Sequence, residues 1–195
     1  MQRTVFLNIN LSFNELINEY LSFDSRDIKN NTLFIAKGLH FREEYLDGAM
    51  SSGAIAYVAQ GEIGGRPECI TVSDVRAAMT VLARMYCNDP QRRLRTFGVT
   101  GTKGKTTTSA FLRRILDFDA AKTGRSKTGI SCSVDIWDGI GETEPINTTP
   151  ESPDIWKYFS HAAESGAERF VLEVSSQALK YQRVEGMTFD IACFT

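Results

Sequence analysis

Apolar positions along the chain follow two periods, one close to 3.6 residues and one of short unbroken runs. Residues 13–21 carry the helical spacing and lead into a turn at Asp24-Ser25-Arg26-Asp27. Three compact apolar runs, at residues 33–36, 55–59 and 69–72, predict buried strands. Residues 43–52 predict a helix that closes at Gly53, where a residue free to adopt positive φ suits a helix C-terminus. Ser73 is expected to cap a helix reaching Cys87, with Val75, Met79, Leu82, Ala83 and Tyr86 on its buried face. Asn88-Asp89-Pro90 stops that helix, and the domain boundary is placed there, giving residues 1–90 and 91–195.

The second part opens with a β-prone run, residues 94–99, followed by a glycine loop and a helix-spaced segment, residues 109–116. A hairpin over residues 127–136 with a turn at Asp138-Gly139 comes next, then a helix over residues 153–165, a strand over residues 169–174 and a last strand over residues 189–194. Strands alternating with helices predict an α/β fold: a small N-terminal α/β domain, then a Rossmann-like parallel sheet with a ligand site at its strand ends. An apolar strand as the last element leads to the expectation that the chain is the front part of a longer enzyme.

Between strand and helix lies Gly98-Val99-Thr100-Gly101-Thr102-Lys103-Gly104-Lys105-Thr106-Thr107-Thr108. Strand, glycine loop and helix is the setting in which backbone N–H groups and a helix N-terminus hold phosphate. Val99 stands where the general G-x-x-x-x-G-K-[ST] pattern has its first glycine, and the glycines fall at 98, 101 and 104 instead. Gly101, Thr102, Lys103, Gly104, Lys105, Thr106 and Thr107 are the candidate nucleotide contacts. Lys105 is expected to reach the β- and γ-phosphates, and the Thr106 hydroxyl to ligate Mg2+. Glu173, at the end of the strand over residues 169–174, reads either as the second Mg2+ ligand or as a satisfied strand-end carboxylate. Asn147-Thr148-Thr149-Pro150 reads as a cap or as a substrate loop, and Arg183 as a carboxylate clamp or a surface residue.

Composition removes other classes. A net charge of −2 gives no footprint for nucleic acid. No apolar run is long enough to span a bilayer, and the N-terminus makes a poor signal peptide, so no membrane insertion and a cytoplasmic location are expected. Cys69, Cys87, Cys132 and Cys193 are scattered without metal-ligand spacing, and small buried hydrophobes in a reducing compartment are expected of them. His40 and His161 form no cluster that suggests zinc.

Three motifs, Gly101-Thr102-Lys103-Gly104-Lys105-Thr106-Thr107, Asn147-Thr148-Thr149-Pro150-Glu151-Ser152 and Glu173-Val174-Ser175-Ser176-Gln177-Ala178-Leu179, resemble in order and spacing the Mur ligases. The likeness is strongest to their UDP-N-acetylmuramoyl-tripeptide synthetase branch. It extends to the N-terminal domain through Asp24-Ser25-Arg26, residues 33–36 and Gly53-Ala54. The resemblance implies an ATP- and Mg2+-dependent ligase of peptidoglycan synthesis that joins an amino acid to a UDP-N-acetylmuramoyl dipeptide through an acyl phosphate. It implies catalytic roles for Lys105 and Glu173, and Mg2+ at Thr106 and Glu173. It assigns the muramoyl-peptide portion to Asn147, Thr148, Thr149, Ser175 and Arg183, and the UDP end to Phe23, Ser25, Leu39, His40 and Phe41. Lys103 stands where many members have asparagine, Gln177 where a histidine is common, and Tyr181 where some place a polar substrate contact. The family's second metal site and amino-acid-selecting domain lie beyond Thr195, so the chain alone is expected to be inactive. A folylpolyglutamate synthetase-like ligase, a non-catalytic nucleotide- or UDP-sugar-binding module and a phosphate-loop switch protein are the rival readings. The Asp24-Ser25-Arg26 domain argues against the first, and the absence of an N-K-x-D signature against the last.

Overall fold

The computed structural model describes residues 20–37, 41–61, 63, 66 and 68–195. Its contacts divide the chain into two compact units, Met1–Leu82 and Ala83–Thr195. The division at Leu82 and the one read from the sequence at Pro90 bracket the end of one helix. The helix expected over residues 13–21 lies outside the described residues except at its end, where Leu21 belongs to a strand.

The first unit is a four-stranded parallel sheet in the order β1-β2-β3-β4, formed by Leu21–Ser22, Thr32–Ala36, Ala54–Gln60 and Cys69–Val72. Strand alternation sorts its side chains into two apolar clusters. Leu33, Ile35, Ala56, Val58 and Ile70 pack with Val75, Met79 and Leu82, whereas Phe34, Ala36, Tyr57 and Ala59 pack with Leu46 and Ala49. Leu46 and Ala49 belong to helix α1, Glu43–Ser51, and Val75, Met79 and Leu82 to helix α2, Val75–Tyr86. Gly53 has φ +114°, and a Cβ there would meet Asn30 Oδ1 at 2.8 Å, so the predicted glycine stop is required by both conformation and space. The cap of α2 corrects the sequence reading: Asp74, not Ser73, accepts from the N–H groups of Arg76 (2.9 Å) and Ala77 (3.1 Å). Tyr86, expected on the buried face, is exposed.

A 3-10 turn, Pro90–Arg93, opens onto the second unit's sheet. That sheet has the order β10-β5-β9-β6-β7-β8, with β5 Arg95–Thr100, β6 Gly129–Ser131, β7 Ile136–Trp137, β8 Glu142–Thr143, β9 Arg169–Glu173 and β10 Ile191–Phe194. The first four of these neighbours run parallel, and β7 and β8 add an antiparallel edge. The turn at Asp138-Gly139 joins β7 to β8 rather than closing the pair β6–β7, which turns through residues 132–135. Asp138 is the reason: its Oδ1 accepts from the N–H groups of Ile140 and Gly141, both at 3.0 Å, and so fixes the turn after β7. Its other oxygen lies 2.6 Å from His161 Nδ1, tying the turn to helix α4, Ser152–Glu164.

Helix α3, Lys105–Thr123, packs Leu112 and Leu116 against Val99, Ile130, Cys132 and Val171. Elsewhere in this unit Trp156, Phe159 and Phe170 stack edge to face at 5.7 and 4.9 Å, each contact contributing about 1 kcal/mol beyond area burial. All four cysteines are free thiols, but only Cys132 is buried and Cys193 is exposed. Among the described residues no helix is long and apolar enough to cross a membrane.

Candidate functional site

The order β5-β9-β6 determines which loops meet. β5 pairs with β9 so that Val99 lies opposite Glu173, and the Val174 N–H donates to the Val99 carbonyl at 2.8 Å. The carboxylate that closes β9 is therefore set beside the loop that leaves β5.

That loop, residues 101–104, has positive φ at both glycines, +142° at Gly101 and +78° at Gly104. Gly104 is the N-cap of α3 and offers no side chain to the helix start. The first ladder bond of the helix runs from Thr108 N–H to the Gly104 carbonyl, 2.8 Å. The N–H groups of Lys105, Thr106 and Thr107 thus precede the ladder, as an anion-binding helix start requires. Lys105 Nζ folds back onto the Gly101 carbonyl at 3.0 Å, while Thr102, Lys103 and Thr107 are exposed.

Thr195 also braces the loop. Its N–H donates to the Thr100 carbonyl (2.9 Å), its hydroxyl to the Lys103 carbonyl (2.6 Å), and its carbonyl accepts from Thr102 N–H (3.3 Å). A Cβ on Gly101 would stand 2.0 Å from the Thr195 carbonyl oxygen, which is why that position holds glycine.

Glu173 is 1% exposed, and every partner it has among the described residues is neutral. Thr106 Oγ1 lies 3.1 and 3.0 Å from Oε1 and Oε2, and Ser133 gives its N–H (3.0 Å) and its hydroxyl (3.2 Å) to Oε2. A buried carboxylate with only hydroxyl and amide donors, and no ion pair among the described residues, lacks the countercharge such a group demands. A hydroxyl and a carboxylate oxygen at a phosphate loop are also the donor set a hard divalent cation takes, so the residues fit Mg2+. Burial, with the Glu173 charge adding and the N–H groups of Val134 and Asp135 opposing, pushes the neighbouring Cys132 thiol up.

The loop of residues 147–150 is stapled to the same strand end. Thr149, 1% exposed, donates its hydroxyl to the Glu173 carbonyl at 2.8 Å and accepts from Ser175 N–H at 2.9 Å. Ser175 caps the short helix α5, Ser176–Lys180, accepting from Ala178 N–H at 3.1 Å. Thr148 reaches the Ser133 hydroxyl at 3.1 Å, and Asn147 is exposed. Arg183 is held by the chain itself, donating to the Thr149 carbonyl at 2.8 Å and pairing with Glu151 at 2.9 Å. The structure thus draws Thr106, Glu173, Thr148, Thr149, Ser175 and Arg183 into one hydrogen-bonded neighbourhood, with Lys105 next to Thr106 in the chain but bonded to the Gly101 carbonyl. Gln177 is exposed on α5.

The candidates of the first unit are dispersed. Phe23 packs against the Leu33–Ile35 cluster and Phe41 against the Phe34–Tyr57 cluster, on opposite faces of the sheet. Ser25 sits in a turn closed by Asp24, which accepts from Arg26 N–H (3.0 Å) and pairs with its guanidinium (2.7 Å). Arg26 beside it holds the Asp24 carboxyl well below the ordinary range, at about 2. Leu39 and His40 lie outside the described residues.

Sequence reasoning missed Ser133, Glu151 and Thr195. Ser133 follows an apolar strand with no motif around it, and only the insertion of β9 beside β6 brings it to Glu173. Thr195 reaches the loop through the pairing of β10 with β5, for which the sequence carries no local signal.

Comparison with known proteins points to one family. Residues 99–195 match the family described as Mur ligase middle domain. A UDP-N-acetylmuramoyl-L-alanyl-D-glutamate–L-lysine ligase of Streptococcus agalactiae is 37% identical over 185 residues, covering 95% of this chain and 36% of that protein. A UDP-N-acetylmuramyl-tripeptide synthetase of Lactococcus lactis subsp. cremoris is 41% identical over 177 residues, covering 90% of this chain and 35% of that protein. Among solved structures, a UDP-N-acetylmuramoyl-L-alanyl-D-glutamate–2,6-diaminopimelate ligase superposes with a TM-score of 0.73 at 25% identity, over 90% of this chain and 36% of that one. The chain spans about a third of the length of these relatives.

Proposed function

Since the chain belongs to the Mur ligase family, we propose that it forms the nucleotide- and carboxylate-activating part of an ATP-dependent ligase in the cytoplasm, which adds an amino acid to UDP-N-acetylmuramoyl-L-alanyl-D-glutamate. In this reading a substrate carboxylate oxygen attacks the γ-phosphorus of ATP and ADP leaves. The amine of the incoming amino acid then attacks the acyl carbon, losing a proton as inorganic phosphate departs and the amide forms.

The observation that carries the reading is the junction of two loops at Glu173. Thr106, from the phosphate loop, bonds its carboxylate, and Thr149, from the 147–150 loop, bonds its carbonyl. A phosphoryl donor held by the first loop and an acceptor held by the second would meet there. The N–H groups at the start of α3 and the Lys105 ammonium would bind the β- and γ-phosphates and offset the charge that spreads over the transferred group. Thr106 and Glu173 would hold Mg2+, which when bound neutralises phosphate charge. Asn147, Thr148, Thr149, Ser175 and Arg183 would shape the place of the muramoyl peptide, with Arg183 acting through Thr149 and Glu151. Phe23, Ser25 and residues 39–41 are assigned the UDP end in the first unit. The relatives' names differ in the amino acid added, L-lysine in one and 2,6-diaminopimelate in another.

Calorimetric titration of the chain with the UDP-muramoyl dipeptide, with UDP alone and with ATP–Mg2+ tests this. The dipeptide is expected to bind more tightly than UDP, and Arg183→Ala to erase that advantage. Binding of ATP–Mg2+ without binding of any UDP compound would remove the muramoyl assignment.

A further inference from the structure

Glu173 offers two oxygens, and the chain treats them unequally. Oε2 receives the Ser133 N–H at 3.0 Å and lies 3.2 Å from the Ser133 hydroxyl and 3.0 Å from that of Thr106, whereas Oε1 has Thr106 alone, at 3.1 Å, among the described residues. We infer that Ser133 is a positioning residue that holds Oε2 and so presents Oε1, together with the Thr106 hydroxyl, to the divalent cation of the proposed ligase. The inference rests on that reading of the site.

A hydroxyl carries one proton and two acceptor sites, so Thr106 donates to a single carboxylate oxygen at a time and becomes a ligand through its lone pairs. Oε2 receives both the backbone N–H and the hydroxyl of Ser133, and the hydroxyl is the second contact that restrains rotation of the carboxylate about its last torsion, one otherwise broad. Outer contacts of this kind orient a metal-binding carboxylate as ligands themselves orient the metal. Ser133 is suited to the role because it lies two residues beyond the end of β6, the neighbour of β9 in the sheet, with its side chain exposed. Its hydroxyl also lies 3.1 Å from that of Thr148, so the chain Thr106–Glu173–Ser133–Thr148 runs unbroken from the phosphate loop to the 147–150 loop.

The experiment is a Mn2+ titration of the 195-residue chain with ADP, followed by electron paramagnetic resonance of free Mn2+, for wild type, Ser133→Ala, Ser133→Thr and Glu173→Gln. Ser133→Ala is expected to weaken Mn2+ about tenfold, with ADP affinity in chelator and the thermal midpoint unchanged. Ser133→Thr, which keeps the hydroxyl, should return affinity to the wild-type value. Wild-type Mn2+ affinity in Ser133→Ala alongside a weakened Glu173→Gln overturns the positioning role of the Ser133 hydroxyl and leaves the ligase reading standing. If Glu173→Gln also binds Mn2+ as wild type does, or wild type binds none, the cation site itself is withdrawn and the inference with it.

Discussion

The Arg183 guanidinium lies 2.9 Å from the Glu151 carboxylate, and each side chain is only 14% exposed. The arginine's other terminal nitrogen donates to the Thr149 carbonyl, so a residue read from the sequence as a substrate clamp is also a brace for the 147–150 loop.

Removing one partner of a buried pair leaves the other charge uncompensated, which costs about 3–5 kcal/mol when burial is complete. Water still reaches this pair, and Arg183→Met should cost about 2 kcal/mol in urea unfolding. Glu151→Gln in the same background should then recover part of that loss, because it removes the charge left without its arginine. A loss under about 0.5 kcal/mol would mean that the brace is not structural and that Arg183 is available to ligand.

Among the described residues Lys105 reaches its own loop, 3.0 Å from the Gly101 carbonyl. In the proposed complex it would exchange that neutral acceptor for phosphate oxygens, a charge-assisted bond of about 1.5–3 kcal/mol. Lys105→Met should therefore weaken ATP–Mg2+ by about 10- to 100-fold in calorimetry while the thermal midpoint holds. Equal affinity in the variant would detach the lysine from the nucleotide.

At Gly101 conformation and space make the same demand, with φ at +142° and the Thr195 carbonyl oxygen 2.0 Å from an added Cβ. Gly101→Ala must open the loop or displace β10, at a cost of about 1–3 kcal/mol. The expected result is a loss of ATP binding of about tenfold or more, with amide exchange quickened at residues 191–195. Wild-type affinity and exchange would show that the loop tolerates the displacement.

Arg26 holds the Asp24 carboxyl at about 2, against an ordinary value of 3.8. A depressed carboxylate contributes stability that is fully present above the ordinary value and is lost as pH falls through the depressed one. That contribution should hold down to about pH 4 and disappear toward pH 2. Carbon-detected titration of Asp24 is expected to give a midpoint near 2, and Arg26→Ala to return it toward 3.8. An unshifted midpoint in the wild type would separate the two side chains in solution.

Much of the local structure was legible because it is written locally. Gly53 ends α1 since its φ is positive, Pro90 follows a helix it cannot continue, and the apolar runs at residues 33–36, 55–59 and 69–72 are strands. The loop proposed to hold phosphate is equally local, its glycines, lysine and threonine lying within a few residues. Neighbouring side chains were harder to rank: Asp74 takes the cap that Ser73 was expected to make, because it reaches both N–H groups of the first turn. What the sequence hides is the lateral order of strands. Ser133 and Thr195 enter the site only because β9 lies beside β6 and β10 beside β5, pairings made by residues far apart in the chain.

β5 and β6 are linked by α3, yet they do not touch along the sheet, and the place between them is taken by β9. β9 emerges only after a hairpin and the helix α4 have been made. During synthesis the glycine loop of residues 101–104 and Lys105 are thus finished while the carboxylate opposite Thr106 does not yet exist. Long-range strand insertion is slow compared with helix and hairpin formation, since chain entropy is lost before the contacts that offset it are made. The proposed cation site is accordingly among the last parts of this unit to acquire its shape, and on that proposal a nascent chain would not clasp a metal-bound nucleotide before β9 has arrived.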